Sequence, residues 1–262
     1  MKNTRVVAII QARMDSSRLP GKVLRDIHGK PMLAWVVERT RKASSVSEVM
    51  VATTSDPSDD MIEQVCRQMN VPCFRGNIYD VLDRYYQAAR EAQADVIVRI
   101  TADCPLIDAG LIDMVVQRFL EEKVDFAANR LPPPYQRTYP IGLDVEVVSF
   151  TALQRAWQEA REKHEREHVL PYLYESPGRF KTLMVDHETD LGSYRWTVDT
   201  FEDLEFIQKL FTLLPDTENF TWLDVLKIVE KNPQLSEINA GVSHKTFKDV
   251  DERSKEDGQD NG

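Results

Sequence analysis

Arg13, Arg18 and Lys22 place three positive charges within ten residues of the loop Gln11-Ala12-Arg13-Met14-Asp15-Ser16-Ser17-Arg18-Leu19-Pro20-Gly21-Lys22, which also carries two hydroxyls and one glycine. Such a set suits a triphosphate: guanidinium forks hold phosphate oxygens bidentately, and an ammonium adds a point charge. A solvated basic surface loop has the same composition, so position must decide between the two. The loop is not a P-loop. Aligned with G-x-x-x-x-G-K-[ST], the first glycine falls at Ser16 and the closing hydroxyl at Val23, so two of the four fixed positions fail. ATPase or GTPase chemistry loses its main support.

A second cluster offers different chemistry. His164-Glu165-Arg166-Glu167-His168 matches H-E-x-x-H, with both imidazoles one turn apart on a predicted helix and Glu188 downstream as a third zinc ligand. Arg161, Glu162 and Lys163 precede it, whereas a zinc-protease helix packs an apolar flank behind its ligands. The pattern is short and recurs by chance in charged helices, so a zinc hydrolase is the rival reading rather than the leading one. Cys104, beside Asp103, offers a nucleophile, but a small thiol at a strand end more often packs than reacts.

These side chains need elements to position them. Val6-Val7-Ala8-Ile9-Ile10 is a continuous apolar run, as expected of a buried parallel strand, so the basic loop leaves a strand's carboxyl end, where doubly wound sheets bind ligands. An amphipathic stretch follows over residues 32–43. The pattern recurs: Val49 to Ala52 reads as a strand, and Ser58 can cap a helix whose apolar face is Met61, Ile62, Val65, Cys66 and Met69. Val96 to Ile100 is the next strand, and residues 111–120 have helical spacing. Alternation of this kind predicts a parallel sheet with helices on both faces. Pro132, Pro133 and Pro134 then break regular structure, and residues 131–148 read as an excursion near the site or a dimer contact. Within it, residues 144–148 alternate as a half-buried strand does. Residues 150–160 and 165–174 read as helices, 180–185 as a strand, and 194–198 as a short strand ending at Asp199. A helix bearing Phe201, Leu204, Ile207, Leu210 and Phe211 on its apolar face follows. Residues 1–242 form one predicted domain, and the polar tail 243–262 is predicted to be disordered.

Composition narrows the classes. The chain has 262 residues, 42% hydrophobic and 29% charged, with no apolar run near the ~20 residues of a membrane span. Three cysteines without a C-x-x-C pair indicate neither a disulfide framework nor a zinc knuckle. A formal net charge of -10 and the lack of a Lys/Arg block argue against nucleic-acid binding. The N-terminus has no secretory h-region, and the default location is the cytoplasm.

Several segments, in order, resemble the cytidylyltransferase family of acylneuraminate- and KDO-activating enzymes, nearest the branch named for the spore coat polysaccharide biosynthesis protein F. They are QARMDSSRLPGKVL, Thr53-Thr54, FRGNIYDVLDRY, RITADCPLID, GLDVEVVS, REHVLPYLY and RWTVDTFEDL, and they span most of residues 5–210. The resemblance implies a single-domain α/β fold of glycosyltransferase-A type, a mostly parallel mixed sheet flanked by helices. It further implies CTP as co-substrate, a divalent metal (Mg²⁺ or Mn²⁺), release of pyrophosphate and a homodimer.

On that basis the first loop, through Gln11, Ala12, Arg13, Ser16, Arg18 and Lys22, is expected to hold CTP, with Arg13 and Lys22 catalytic. Asp103 and Asp199 each follow a predicted strand, so both can meet at the sheet's carboxyl edge as metal ligands and catalytic acids; each can alternatively cap a helix. The sialic-acid branch has a second acid two residues before the Asp199 position, where this chain has Thr197, so metal ligation is expected to differ. Thr53, Thr54, Arg75 and Arg84 are expected to select the base, although Arg84 on a helix can equally be solvated or salt-bridged. Arg130, Arg137, Asp144, Glu146, Glu167 and His168 are assigned to the acceptor, a small acidic or sugar-like molecule in surface polysaccharide or glycoconjugate synthesis. Asp144 and Glu146 share a strand face, which permits a carboxylate pair or a polar solvent face. His168 can orient the acceptor or take its proton. A glycosyltransferase using a finished nucleotide-sugar is the alternative, but its D-x-D pair is absent, since Cys104 and Pro105 follow Asp103.

Overall fold

A computed structural model describes residues 4–131 and 137–243. The chain forms β1 (Val6–Gln11), the short pair β2 (Asp26–Ile27) and β3 (Lys30–Pro31), α1 (Met32–Arg41), β4 (Glu48–Thr54), α2 (Asp60–Gln68), β5 (Cys73–Gly76), α3 (Val81–Glu91) and β6 (Val96–Thr101). Next come α4 (Ala109–Glu122), β7 (Phe126–Ala128), β8 (Glu146–Ser149), α5 (Phe150–Glu159), α6 (Lys163–His168), α7 (Pro171–Tyr174) and β9 (Thr182–Met184). The last elements are α8 (Phe201–Leu213), α9 (Trp222–Lys231) and α10 (Gln234–Glu237).

β1 is apolar throughout because both of its faces are covered. Val6, Ala8 and Ile10 join one hydrophobic cluster with α1, α2, α4, α8 and α9, while Val7 and Ile9 join another with α3, α5 and α7. The seven-stranded sheet has the order β5-β4-β1-β6-β8-β7-β9. β1 pairs in parallel with β4 and β6, and β4 with β5, whereas β8 runs antiparallel to both β6 and β7. This is the single α/β domain with a mostly parallel mixed sheet that the sequence predicts. One edge of the sheet therefore collects the ends of β1, β4, β5, β6 and β7 and the start of β8, so distant loops meet there. Among the described residues no helix is long and apolar enough to cross a membrane.

Several local expectations change. Residues 194–198 do not form a strand: Arg195 makes an isolated parallel bridge with Ile141, and pairing stops because the Val198 N–H turns to the Asp103 carbonyl at 2.9 Å. Ser58 caps nothing; Asp56 accepts from its N–H at 2.8 Å and starts a short 3-10 turn ahead of α2. The helix predicted over 165–174 is split into α6 and α7, since Val169 adopts φ 74° and Pro171 opens α7. Of the 131–148 excursion, residues 132–136 lie outside the described residues, as do residues 244–262 of the predicted tail.

Candidate active site

The basic loop starts where β1 ends. Leu19 is fully buried and anchors it, and it closes on itself through Gly21 N–H to the Met14 carbonyl at 2.9 Å and Lys22 N–H to the Leu19 carbonyl at 3.1 Å. Gly21 has φ 68°, which a side chain would resist. A second anchor is Asp59, a buried carboxylate that the sequence reading missed. It accepts from Met14 N–H at 2.7 Å, from Thr53 Oγ1 at 2.8 Å, and from Thr54 N–H at 3.0 Å and Oγ1 at 2.5 Å. Thr53 and Thr54, expected to help select the base, are both buried with their hydroxyls bonded to Asp59, and through it they hold the loop. Arg75, given the same expected role, is held by neighbours on β4 and α2. Its guanidinium binds the Thr54 and Asp56 carbonyls, Asp60 and Glu63, which ties β5 to the start of α2.

Lys22 reaches from the loop to the two predicted acids. Its Nζ donates to Asp103 Oδ2 at 2.8 Å, to Asp199 Oδ1 at 2.9 Å and to the Val198 carbonyl at 3.0 Å. Burial alone would lower its pKa, but the two carboxylates outweigh burial and raise it. For Asp199 burial works upward, yet Lys22, Arg18 and Arg195 hold its carboxyl well below the usual range. Arg18 lies 3.1 Å from Asp199, so loop and acids form one network. Neither acid caps a helix. Asp108 caps α4, and Thr200 caps α8 in a reciprocal box with Asp203.

Asp199 is aimed by its neighbours. Arg195 donates to Asp199 Oδ2 at 2.8 Å and is gripped by Asp203, which also accepts from Asp199 N–H at 2.9 Å. Asn239 closes the network with bonds to Asp203 and to the Arg195 carbonyl. Thr197, at the position where the sialic-acid branch has an acid, donates to the Asp103 carbonyl at 3.2 Å. Gly142, in GLDVEV, lets the segment lie close: a Cβ there would stand 2.6 Å from Thr197 N.

Arg84 is fully buried on α3. Nη1 donates to the Asn77 carbonyl at 2.9 Å, whereas Nε and Nη2 have no partner among the described residues. Burial pushes its pKa down to about 10, and the nearby Arg13 acts in the same direction. Unsatisfied buried donors of this kind cost about 1–3 kcal/mol each, and a bound oxygen acceptor removes that cost. Of the two openings left for Arg84, a solvated or salt-bridged arginine does not fit.

On the other side of β1 lies an arginine cluster. Arg99, in β6, pairs with Glu146 across the β6/β8 register and reaches Gln11 Oε1 at 3.3 Å, while Asp144 is bound by Arg130 at 3.1 Å and by Arg137. Arg130 and Arg137 face each other across an isolated antiparallel bridge. The anticipated carboxylate pair or solvent face is therefore replaced by a buried Glu146 and a partly buried Asp144, each neutralised by arginine. Three guanidinium groups meet two carboxylates, and Arg99 Nε and Arg137 Nε lack partners among the described residues. Arg99 is a residue the sequence reading passed over, although a charge inside the apolar run of β6 is the signal that marks it.

α6 is fastened to the N-terminal end of α3 by Arg166, which donates to Asp80 at 3.0 Å, so Glu167 and His168 stand at the carboxyl edge of the sheet. The first two residues of the H-E-x-x-H serve structure: Glu165 accepts from Glu162 N–H in a capping box, and His164 pairs with Glu175 at 2.9 Å. Among the described residues no group of three or more His, Cys, Asp or Glu can hold a metal. Burial pushes the Cys104 thiol well up, which removes it as a nucleophile.

Residues 7–246 match the family described as Cytidylyltransferase. An uncharacterized protein of Methanocaldococcus jannaschii is 37% identical over 253 residues, 95% of this chain and 100% of its own length. The spore coat polysaccharide biosynthesis protein SpsF of Bacillus subtilis is 29% identical over 238 residues, 88% of this chain and 96% of its own. Among solved structures, a cytidylyltransferase from Leptospira borgpetersenii superposes with a TM-score of 0.85 at 34% identity, covering 92% of this chain and 100% of that one.

Proposed function

The chain belongs to the cytidylyltransferase family and is a CTP-dependent nucleotidyltransferase, and from that premise we propose that it moves CMP from CTP to a small acidic or sugar-like acceptor in surface polysaccharide or glycoconjugate precursor synthesis. The observation that carries the residue roles is the meeting of Lys22, Asp103 and Asp199 at the mouth of the basic loop. The oxygens around Lys22 Nζ come from two carboxylates and one carbonyl, a donor set that fits a hard divalent cation. Asp103 and Asp199 would hold Mg²⁺ or Mn²⁺, which when bound neutralises phosphate charge.

The acceptor oxygen forms a bond to the α-phosphorus as the α–β bridging bond breaks, and the electron pair leaves on pyrophosphate. Arg13, Arg18 and Lys22 bind the β- and γ-phosphates and stabilise the charge that grows there. Arg84, with its two unpartnered donors, binds an oxygen of the nucleotide. The arginines 99, 130 and 137 orient an anionic group of the acceptor, and His168 takes the proton of its hydroxyl. The same reading makes the enzyme a cytoplasmic homodimer. Among the described residues no group of His, Cys, Asp and Glu supports zinc chemistry, and the D-x-D pair of a nucleotide-sugar transferase is missing at Asp103.

An acceptor screen by mass spectrometry with all four nucleoside triphosphates tests donor and acceptor together. Asp199→Ala and Arg13→Ala are expected to abolish pyrophosphate release while remaining folded. Full release by both variants at saturating CTP would remove the assigned roles.

A further inference from the structure

Lys22 Nζ fills a pocket of three oxygens, Asp103 Oδ2, Asp199 Oδ1 and the Val198 carbonyl, at 2.8, 2.9 and 3.0 Å, so all three N–H bonds of the ammonium are used. The other oxygen of Asp199 is taken by Arg18 and Arg195. Around this point Asp103, Asp199 and Asp203 are matched by Lys22, Arg18 and Arg195, so the network is already neutral. A divalent cation entering such a network meets the Lys22 charge at contact distance and gains no unpaired carboxylate.

We propose that Lys22 is the internal counter-cation of the metal pocket, holding its three oxygens together in the free enzyme and yielding them only when a triphosphate draws its ammonium away. The inference rests on the metal role given above to Asp103 and Asp199. Lys22 is suited to the exchange because it sits on the loop that receives the phosphates, and its flexible stem can turn the same charge from carboxylate to phosphate. Once it turns, Asp103 Oδ2, Asp199 Oδ1 and the Val198 carbonyl would be free to hold a hard divalent cation, which would supply positive charge beside the phosphates, in keeping with the absence of a fuller protein cage among the described residues. Metal and nucleotide therefore enter together, and metal without nucleotide binds poorly.

Mn²⁺ alone is the probe, titrated into the nucleotide-free full-length protein and followed by electron paramagnetic resonance of the free ion and by calorimetry. Lys22→Met is expected to bind one Mn²⁺ about ten-fold or more tightly than wild type, because a like charge has left the pocket. Adding Asp199→Asn is expected to cancel that gain. Lys22→Gln, which keeps a hydrogen-bonding side chain, is measured beside it in case the methionine variant does not fold. Equal Mn²⁺ affinity in wild type and a folded Lys22 variant, or tight nucleotide-free binding by wild type, would overturn the proposal. Neither CTP nor an acceptor is needed, so loss of the counter-cation role leaves the cytidylyl-transfer roles to be judged by turnover.

Discussion

Asp203 grips Arg195 with both carboxylate oxygens, at 2.8 Å to Nε and 2.9 Å to Nη2, and is itself wholly buried. The pair places Arg195 against Asp199, the proposed metal ligand, and so aims its carboxylate. Asp203→Ala leaves the Arg195 guanidinium paired with Asp199, removes the acceptor of Asp199 N–H, and is expected to cost about 3–5 kcal/mol in urea unfolding. Asp203→Asn keeps the shape and is expected to cost less while still lowering kcat. A loss under about 1 kcal/mol for the alanine variant would show the pair to be dispensable.

Gly142 has φ 103°, and a Cβ there would lie 2.6 Å from Thr197 N and 2.7 Å from the Trp196 carbonyl carbon. Gly142→Ala is expected to lose roughly 1–3 kcal/mol from backbone strain, with more from the clash, and to lower pyrophosphate release by displacing the segment that carries Asp199. Gly178→Ala is the control, because φ is 80° but no atom lies within 4 Å. It is expected to lower the melting temperature slightly and leave turnover unchanged. Similar turnover losses in both variants would contradict the positioning role.

Arg99 and Glu146 are a buried ion pair across β6 and β8. Arg99→Met alone leaves Glu146 charged and buried and is expected to cost about 3–5 kcal/mol, and Arg99→Met with Glu146→Leu is expected to recover most of it. Activity should not return with stability, since Arg99 also holds Gln11 at the start of the basic loop at 3.3 Å. Recovery of both in the double variant would assign Arg99 to packing alone.

The Lys22 and Asp199 pair bounds the pH range of stability. Asp199 has a depressed pKa when folded, so its contribution is complete above the unfolded value of about 3.9 and is lost as pH falls toward the folded value. Lys22 has a raised pKa, so the same pair persists below about 10.4 and is lost at higher pH. Unfolding free energy is expected to be flat with respect to this pair between those limits. Asp199→Asn should flatten the acid limb below about pH 4, and an unchanged limb would show that Asp199 is not held by these cations in solution.

The sequence by itself determined the sheet, because a fully buried parallel strand must be apolar on both faces, as Val6 to Ile10 are, and helices must alternate to cover it. It also pointed to Arg13, Arg18, Lys22, Asp103 and Asp199 by charge type and expected place after strands, although the segment before Asp199 makes only an isolated bridge. β7 has three residues, too few for a period, and residues 194–198 alternate like a strand yet pair only at Arg195. Side-chain use was not legible at all. Thr53 and Thr54 look like ligand hydroxyls until Asp59, buried beside them, is seen to take both, and Asp144 and Glu146 look like a carboxylate pair until arginines from β6 and from the segments before and after residues 132–136 claim each one. Sequence distance does not reveal these pairings, since Asp59 is 6 residues from Thr53, Arg137 is 7 from Asp144 and Arg99 is 47 from Glu146; only the packing of the sheet edge decides which charges meet and which hydrogen bonds are already taken.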